Sequence, residues 1–192
     1  MAGVVRRPPS WQEAVLILID HQMEYRVGKL VLDGMEEAIA ENARLLAMAR
    51  AAGAPVIHVV QRSRPGSPVF DPDTPMAEVI PELAPLPGEA VVGKKYPSSF
   101  AETELSGTIA ATGRRSLIVT GFMTHMCVST TVRAALDHGL ECTVVAAATA
   151  TRDLPDPLGG ILPAAAVQRS ALAELADRFA LVLKDSGSLD RA

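Results

Sequence analysis

Apolar and polar positions run along this chain in alternating blocks of two periods. Residues 14–19 (AVLILI) are apolar without interruption, and a run this short predicts a strand buried on both faces. Asp33 followed by Glu36 reads as a capping box, and Ile39, Leu46 and Ala49 then recur at roughly helical spacing until Gly53 ends the helix. Residues 55–60 (PVIHVV) are β-branched and predict a second strand. A proline-rich loop over residues 61–89 follows, and loops of that length in compact domains tend to be lids or binding loops. Residues 90–93 predict a third strand and residues 103–112 a helix closed by Gly113. Residues 116–120 (SLIVT) predict a fourth strand, residues 126–138 a helix ending at Gly139, and residues 141–146 a fifth strand. A second loop over 149–162 leads to a helix opened by Pro163, and residues 179–183 predict a sixth strand.

Repeated strand–helix units imply an α/β fold: a parallel sheet covered by helices on both faces through right-handed crossovers. The expectation is a three-layer αβα architecture with a six-stranded, doubly wound sheet in the order 3-2-1-4-5-6. No repeat, low-complexity tract or composition shift divides the chain, so a single domain over residues 1–192 is expected.

The chain is 48% hydrophobic and 21% charged, which is ordinary globular material. Its net charge of −4 gives no basic footprint for nucleic acid and no attraction to an anionic membrane. The longest early apolar run, residues 14–19, is too short for a signal peptide or a membrane span, and a cytoplasmic location is expected. Two cysteines, Cys127 and Cys142, cannot build a disulfide framework. In a reducing compartment a cysteine serves packing, metal binding or chemistry.

In doubly wound sheets ligands sit at the carboxyl ends of the strands. Three polar residues stand there: Asp20 ends AVLILID, Lys94 ends AVVGK, and Cys127 follows SLIVTG at the start of a helix. A thiol is a weak nucleophile at its ordinary pKa of about 8.5, and a helix N-terminus favours its thiolate. A nearby carboxylate can take the proton, and a lysine beside both keeps that carboxylate charged. Alone, each residue has an ordinary reading: Cys127 as packing, Asp20 as a cap, Lys94 as a solvated lysine with Lys95 beside it. Their convergence on one sheet end is what singles them out. Cys142 opens a strand and reads as core.

The four histidines form no metal-ligand spacing, and the cysteines are too far apart for a Cys-x-x-Cys site, so neither metal nor other cofactor is expected. His58 lies within a strand and reads as core; His138 sits in a last helical turn, where a cation suits the dipole. His21 and His125 adjoin the candidate site and are candidates for substrate contact. Residues 88–94 match G-x-x-x-x-G-K, but Lys95 follows instead of Ser or Thr and Tyr96-Pro97 forbids an immediate helix, so this is not a phosphate loop.

Three ordered motifs resemble the isochorismatase-like cysteine hydrolases. LILIDHQMEY is similar to that family's apolar strand ending in Asp-x-Gln. VVGKKYPSSFAETEL is similar to its Lys, three residues, Ser, any residue, Phe, a register that selects Lys94 over Lys95. SLIVTGFMTHMCVSTTVRAALDHG is similar to its strand, Gly, Thr and Cys-Val leading a helix. The likeness spans residues 15–183. It implies that Asp20 deprotonates Cys127, that the thiolate attacks a carbonyl carbon to give a thioester, and that water activated by Asp20 releases the acid. It also implies an oxyanion hole from the backbone N–H groups of Met123 and Cys127, and a cis peptide at Phe122–Met123. Gln22, Tyr25, Phe100 and His125 are the substrate-facing candidates in these motifs.

Within such a family the presence of Cys127 favours hydrolysis of a small amide or carbamoyl substrate over the vinyl-ether cleavage of members that lack the cysteine. A non-catalytic member that binds small molecules or partners stays open as an alternative. Nicotinamidases of this fold carry an Asp-x-His metal motif after the second strand, where this chain reads HVVQRSRPGSP. The resemblance also implies a homo-oligomer, dimer or tetramer. The small residues Ser106, Gly107, Ala110 and Ala111 in the helix over 103–112 would permit close packing.

Overall fold

The computed structural model describes residues 7–189. The sheet is built from Ala14–Ile19 (β1), Val56–Gln61 (β2), Ala90–Lys94 (β3), Ser116–Phe122 (β4), Glu141–Ala150 (β5) and Ala180–Leu183 (β6). All neighbouring strands pair in parallel, in the order β3-β2-β1-β4-β5-β6. β1 lies inside the sheet, flanked by β2 and β4. Its unbroken apolar run follows from that place: every residue from Ala14 to Ile19 is at most 1% exposed, because both faces are covered.

The alternation of side chains along β1 assigns each to one of two cores. Ala14, Leu16 and Leu18 pack with Ile39, Leu45 and Leu46 of the helix Met35–Ala51 (α2). Val15, Ile17 and Ile19 pack on the opposite face with residues of Leu105–Ala111 (α3), Ser129–Asp137 (α4) and Ala164–Arg178 (α5). A four-residue helix, Glu24–Val27 (α1), follows β1 and was not visible in the periodicity. The result is the three-layer α/β architecture expected from the alternation.

Several local expectations are corrected. The Asp33–Glu36 capping box is not formed. Gly34 stands at the N-cap of α2 with φ 68°, Asp33 N–H donates to Thr151 O at 3.1 Å, and Glu36 instead takes two 2.8 Å bonds from Arg26. Helix 103–112 shortens to α3, with Ser106, Gly107, Ala110 and Ala111 exposed on it. The helix expected from residue 126 begins earlier, as a π-helical turn over Thr124–Val128 that runs into α4. β5 continues to Ala150, well beyond residue 146, with a register irregularity against β4 between Val119 and Gly121. Pro163 stands at the N-cap of α5 rather than within its first turn, and two-residue strands Leu154–Pro155 and Ile161–Leu162 pair in the loop before it. The residues after Lys94 form bends and not a helix, in keeping with dismissal of the phosphate-loop match. Among the described residues no helix is long and apolar enough to cross a membrane.

Gly121 decides how closely β4 can approach β1. Its φ is +123°, and a Cβ there would overlap the backbone of Ile19. Gly113 also has a positive φ, +70°, but faces open space. Gly113→Ala should therefore cost about 1–2 kcal/mol, the ordinary cost of a left-handed residue. Gly121→Ala should cost about 1–3 kcal/mol more, because backbone cannot move aside as a side chain can. Urea unfolding of the two variants side by side measures the difference.

Candidate active site

Asp20 is the first residue beyond β1, and its backbone turns there with φ 54°. Aspartate is among the few residues that tolerate this region. The turn is held from both sides: Asp20 N–H donates to Val59 O at 2.8 Å, and Asp20 O accepts from Gln22 N–H at 2.8 Å. The carboxylate is fully buried and meets Lys94 Nζ at 2.7 Å. Lys94 is the last residue of β3 and is itself only 1% exposed. Its Nζ also donates to Gln61 Oε1 at 2.9 Å and approaches Cys127 Sγ at 3.4 Å. The carboxylate, the ammonium and the thiol proposed from three separate strand ends are thus one cluster.

Burial dominates the electrostatics of the cluster. It pushes the Asp20 carboxyl above its ordinary range, opposed by the positive charge and hydrogen bond of Lys94. It pushes the Cys127 thiol up to about 12, and the charge of Asp20 adds to that rise while Lys94 opposes it. The thiolate expected from a helix N-terminus is therefore not the resting form. The proton rests on sulfur, within reach of a carboxylate that is already held in place.

Gln61 was missed by sequence reasoning, although it ends β2 as Lys94 ends β3. Gln22, expected to face substrate, is instead fully buried and holds Gln61. Gln22 Oε1 accepts from Gln61 N–H at 2.7 Å, and Gln22 Nε2 donates to Gln61 O at 3.1 Å and to Ala77 O at 2.8 Å. Both hydrogen-bonding ends of this amide are used in positioning backbone. After β2, where nicotinamidases carry Asp-x-His, this chain reads Gln61-Arg62-Ser63-Arg64. Among the described residues no group of three His, Cys, Asp or Glu side chains gathers in a metal-holding arrangement.

Cys127 lies in the π-helical turn, 5% exposed. The turn starts after Met123, and the peptide Phe122–Met123 is cis, as the resemblance implied. Met123 lies beyond β4, and its N–H takes no part in the hydrogen bonds of the described residues. Met123 and Cys127 both border one cavity of about 310 Å³. Tyr25, Val69 and Phe70 form apolar wall, and Gln61, Ser63, Lys95 and Arg152 supply polar groups. Tyr25 is buried against Phe70 and Phe122 by edge contacts, at centroid distances of 5.1 and 5.8 Å. Glu24 holds Phe70 by accepting its N–H at 3.1 Å.

The remaining candidates fall outside the cavity. Phe100 stacks on His138 with centroids 4.5 Å apart, fastening the segment after β3 to the end of α4. His125 is half-buried, with Nδ1 2.6 Å from Thr151 Oγ1; burial, and then the charge of Arg152, lower its pKa. His21 is buried 4.8 Å from the Phe122 ring, and burial lowers its pKa to about 3. His58 is core, as expected, with Nε2 3.0 Å from Glu89 Oε2.

Known proteins share this arrangement of elements. Residues 14–185 match the isochorismatase domain. A secreted isochorismatase effector of Verticillium dahliae is 40% identical over 179 residues, covering 93% of this chain and 92% of that protein. A ureidoacrylate amidohydrolase of Variovorax paradoxus is 30% identical over 195 residues, covering 83% of this chain and 73% of that protein. The crystal structure of an isochorismatase from Pseudomonas putida KT2440 superposes with a TM-score of 0.90 at 46% identity, covering 93% of this chain and 91% of that one. With a domain match over nearly its whole length, this chain belongs to the isochorismatase-like cysteine hydrolase family.

Proposed function

We propose that the protein hydrolyses the C–N bond of a small amide or carbamoyl compound through a thioester on Cys127. The observation that carries this reading is the buried contact set in which Lys94 Nζ lies 2.7 Å from Asp20 Oδ2 and 3.4 Å from Cys127 Sγ. The likeness to a ureidoacrylate amidohydrolase supports the amide class.

The reading assigns each group one task. Asp20 takes the thiol proton as sulfur attacks the carbonyl carbon, so charge moves from carboxylate to the developing oxyanion and not to a free thiolate in an apolar site. Backbone N–H groups of Met123 and Cys127 receive that oxyanion. When the tetrahedral species collapses, the C–N bond breaks and Asp20 returns the proton to the leaving amine. A water molecule then attacks the thioester, Asp20 takes its proton, and the acid leaves with the thiol restored. Lys94 keeps Asp20 ionised and oriented through these steps, and Gln61 keeps Lys94 in place. No step calls for a metal, and turnover should survive chelation by EDTA.

Two outcomes test the assignment. Cys127→Ala should abolish ammonia release from a panel of small amides, ureas and carbamoyl compounds while circular dichroism stays unchanged. Substantial residual ammonia release by Cys127→Ala would reject Cys127 as the nucleophile, and cleavage of a vinyl ether by Cys127→Ala, with no ammonia from the amide panel in either form, would favour the reading with Asp20 as proton donor. Acid quenching during wild-type turnover should reveal Cys127 carrying the acyl mass in intact-protein mass spectrometry.

The pH profile separates the lysines. Asp20 must be ionised to act, and burial raises its pKa, so the acid limb of kcat/KM lies above the ordinary carboxylate range. Lys94→Ala removes the cation that opposes the rise, and the limb should move to higher pH. Lys95 is exposed, its charge is screened by solvent, and Lys95→Ala should leave the limb where it is. Equal displacement by both variants would reject the choice of Lys94.

A further inference from the structure

Lys94 and Cys127 meet from elements that the sheet secures on one side only. β3 is an edge strand and pairs with β2 alone, so its ladder fixes Lys94 toward β2 and leaves the other side free. The turn that carries Cys127 is held toward β5. There Thr124 Oγ1 donates to Ala150 O at 3.0 Å, and His125 Nδ1 lies 2.6 Å from Thr151 Oγ1. The chain that leaves Lys94 is irregular and offers no regular ladder to join the two elements.

Two buried hydroxyls join them. Ser99 follows Lys94 in that irregular chain and is fully buried, and Thr131 stands one turn after Cys127 and is 1% exposed. Ser99 N–H donates to Thr131 Oγ1 at 3.0 Å, and the Thr131 hydroxyl donates to Ser99 Oγ at 2.9 Å. Thr103 Oγ1 in turn donates to Ser99 O, so Ser99 is held from both sides. Further along, Phe100 stacks on His138. Positions 127, 131 and 138 recur at one-turn and two-turn spacing, which brings side chains to one side of a helix. They meet Lys94, Ser99 and Phe100 in the same order. The segment after β3 therefore runs along α4 as a seam, and the reacting pair is its first fastening. Ser98, the serine that the sequence motif names, instead accepts Phe100 N–H at 3.3 Å.

We infer that Ser99 and Thr131 are positioning residues for the reaction, and that their hydrogen bonds set the Cys127 sulfur against Lys94. This rests on the proposed role of Cys127 and adds what holds the nucleophile to its charged partner. Apolar side chains of similar volume would fill the same space with no polar group to satisfy. A mutually satisfied buried pair fixes direction as well as distance, which packing alone does not. Neither hydroxyl borders the cavity, so both act through Lys94 and Cys127 and not on substrate.

The test reads alkylation of Cys127 by iodoacetamide with intact-protein mass spectrometry. Thr131→Val keeps the shape but removes the acceptor, and leaves the buried Ser99 N–H without a partner. It should slow alkylation about tenfold or more, since small misplacements of reacting groups cost up to about a hundredfold. Ser99→Ala keeps the bond to Thr131 Oγ1 and should slow it less, and Thr131→Ser should restore the wild-type rate. Lys94→Ala should slow alkylation in the wild-type background and matter little in Thr131→Val, where sulfur no longer stands against the ammonium. Gly113→Ala, whose new Cβ meets no other atoms, controls for lowered stability and should leave the rate unchanged. A full Lys94→Ala effect in the Thr131→Val background, or equal slowing by Gly113→Ala, overturns the inference. If Lys94→Ala leaves the wild-type rate unchanged, the proposed partnership of Lys94 and the thiol falls, and a crystal structure of Thr131→Val judges the seam alone. There the separation of Lys94 Nζ and Cys127 Sγ should exceed 3.4 Å, and an unchanged separation overturns the inference. Should Thr131→Val fail to fold, Ser99→Ala carries both measurements.

Discussion

Lys94 and Asp20 meet at 2.7 Å with almost no solvent on either side chain, and much of the surrounding structure exists to make that contact tolerable. Withdrawing each charge from water costs several kcal/mol, and their mutual attraction offsets this only when geometry and additional hydrogen bonds are good. Those additional bonds are present. Gln61 Oε1 accepts from Lys94, and Gln22 holds the Gln61 backbone at both its N–H and its C=O. The left-handed turn at Asp20 and the bare Cα of Gly121 against Ile19 fix where the carboxylate can stand. The pair is poor evidence of stability and good evidence of a demand for one arrangement of charge in a place where water would otherwise scatter it.

The same dryness sets the state of the thiol. A lone buried thiol beside a carboxylate holds its proton, and Lys94 only partly opposes that. Reactivity is therefore conditional in the proposed mechanism. The proton leaves sulfur only as a carbonyl arrives to accept the electrons, with the oxyanion donors ready to hold the resulting charge. A cleft with these walls discriminates between a polarised carbonyl and a casual electrophile better than a free thiolate would.

The layers, the strand order and the three-residue cluster were legible because they rest on strong signals: unbroken apolar runs for central strands, and polar residues where those runs stop. What stayed hidden was short-range or masked by composition. β5 runs on through Ala146, Ala147, Ala148, Thr149 and Ala150, whose small side chains carry little strand signal, and pairing with Gly121 and Phe122 extends it. With its strand signal ending at residue 146, the sequence shows Arg152 as open loop, beyond the reach of the strand-end rule. Gln61 is within reach of the same rule, but the proline-rich composition that follows it reads as loop. Gln22 and Phe100 belong to motifs that do mark the site, yet their side chains serve backbone and packing. A motif reports that a residue type is needed and does not report which neighbour needs it. The thiol's protonation state depends on burial, which no spacing rule encodes.

The long segment between β2 and β3 is attached to the β1 end chiefly through its own main-chain groups, with the Arg26–Glu82 ion pair beside them. Ile80 N–H donates to His21 O at 2.9 Å, Met23 N–H donates to Glu78 O at 2.9 Å, and Gln22 Nε2 holds the carbonyls of Gln61 and Ala77. Such fastenings are indifferent to the side chains they carry. Val69 and Phe70, which face the cavity from this segment, can therefore be exchanged over generations while the seam that holds the loop to the reaction centre stays intact. A scaffold joined in this way is free to inherit new substrates by rewriting one wall, with the reactive cluster behind it untouched.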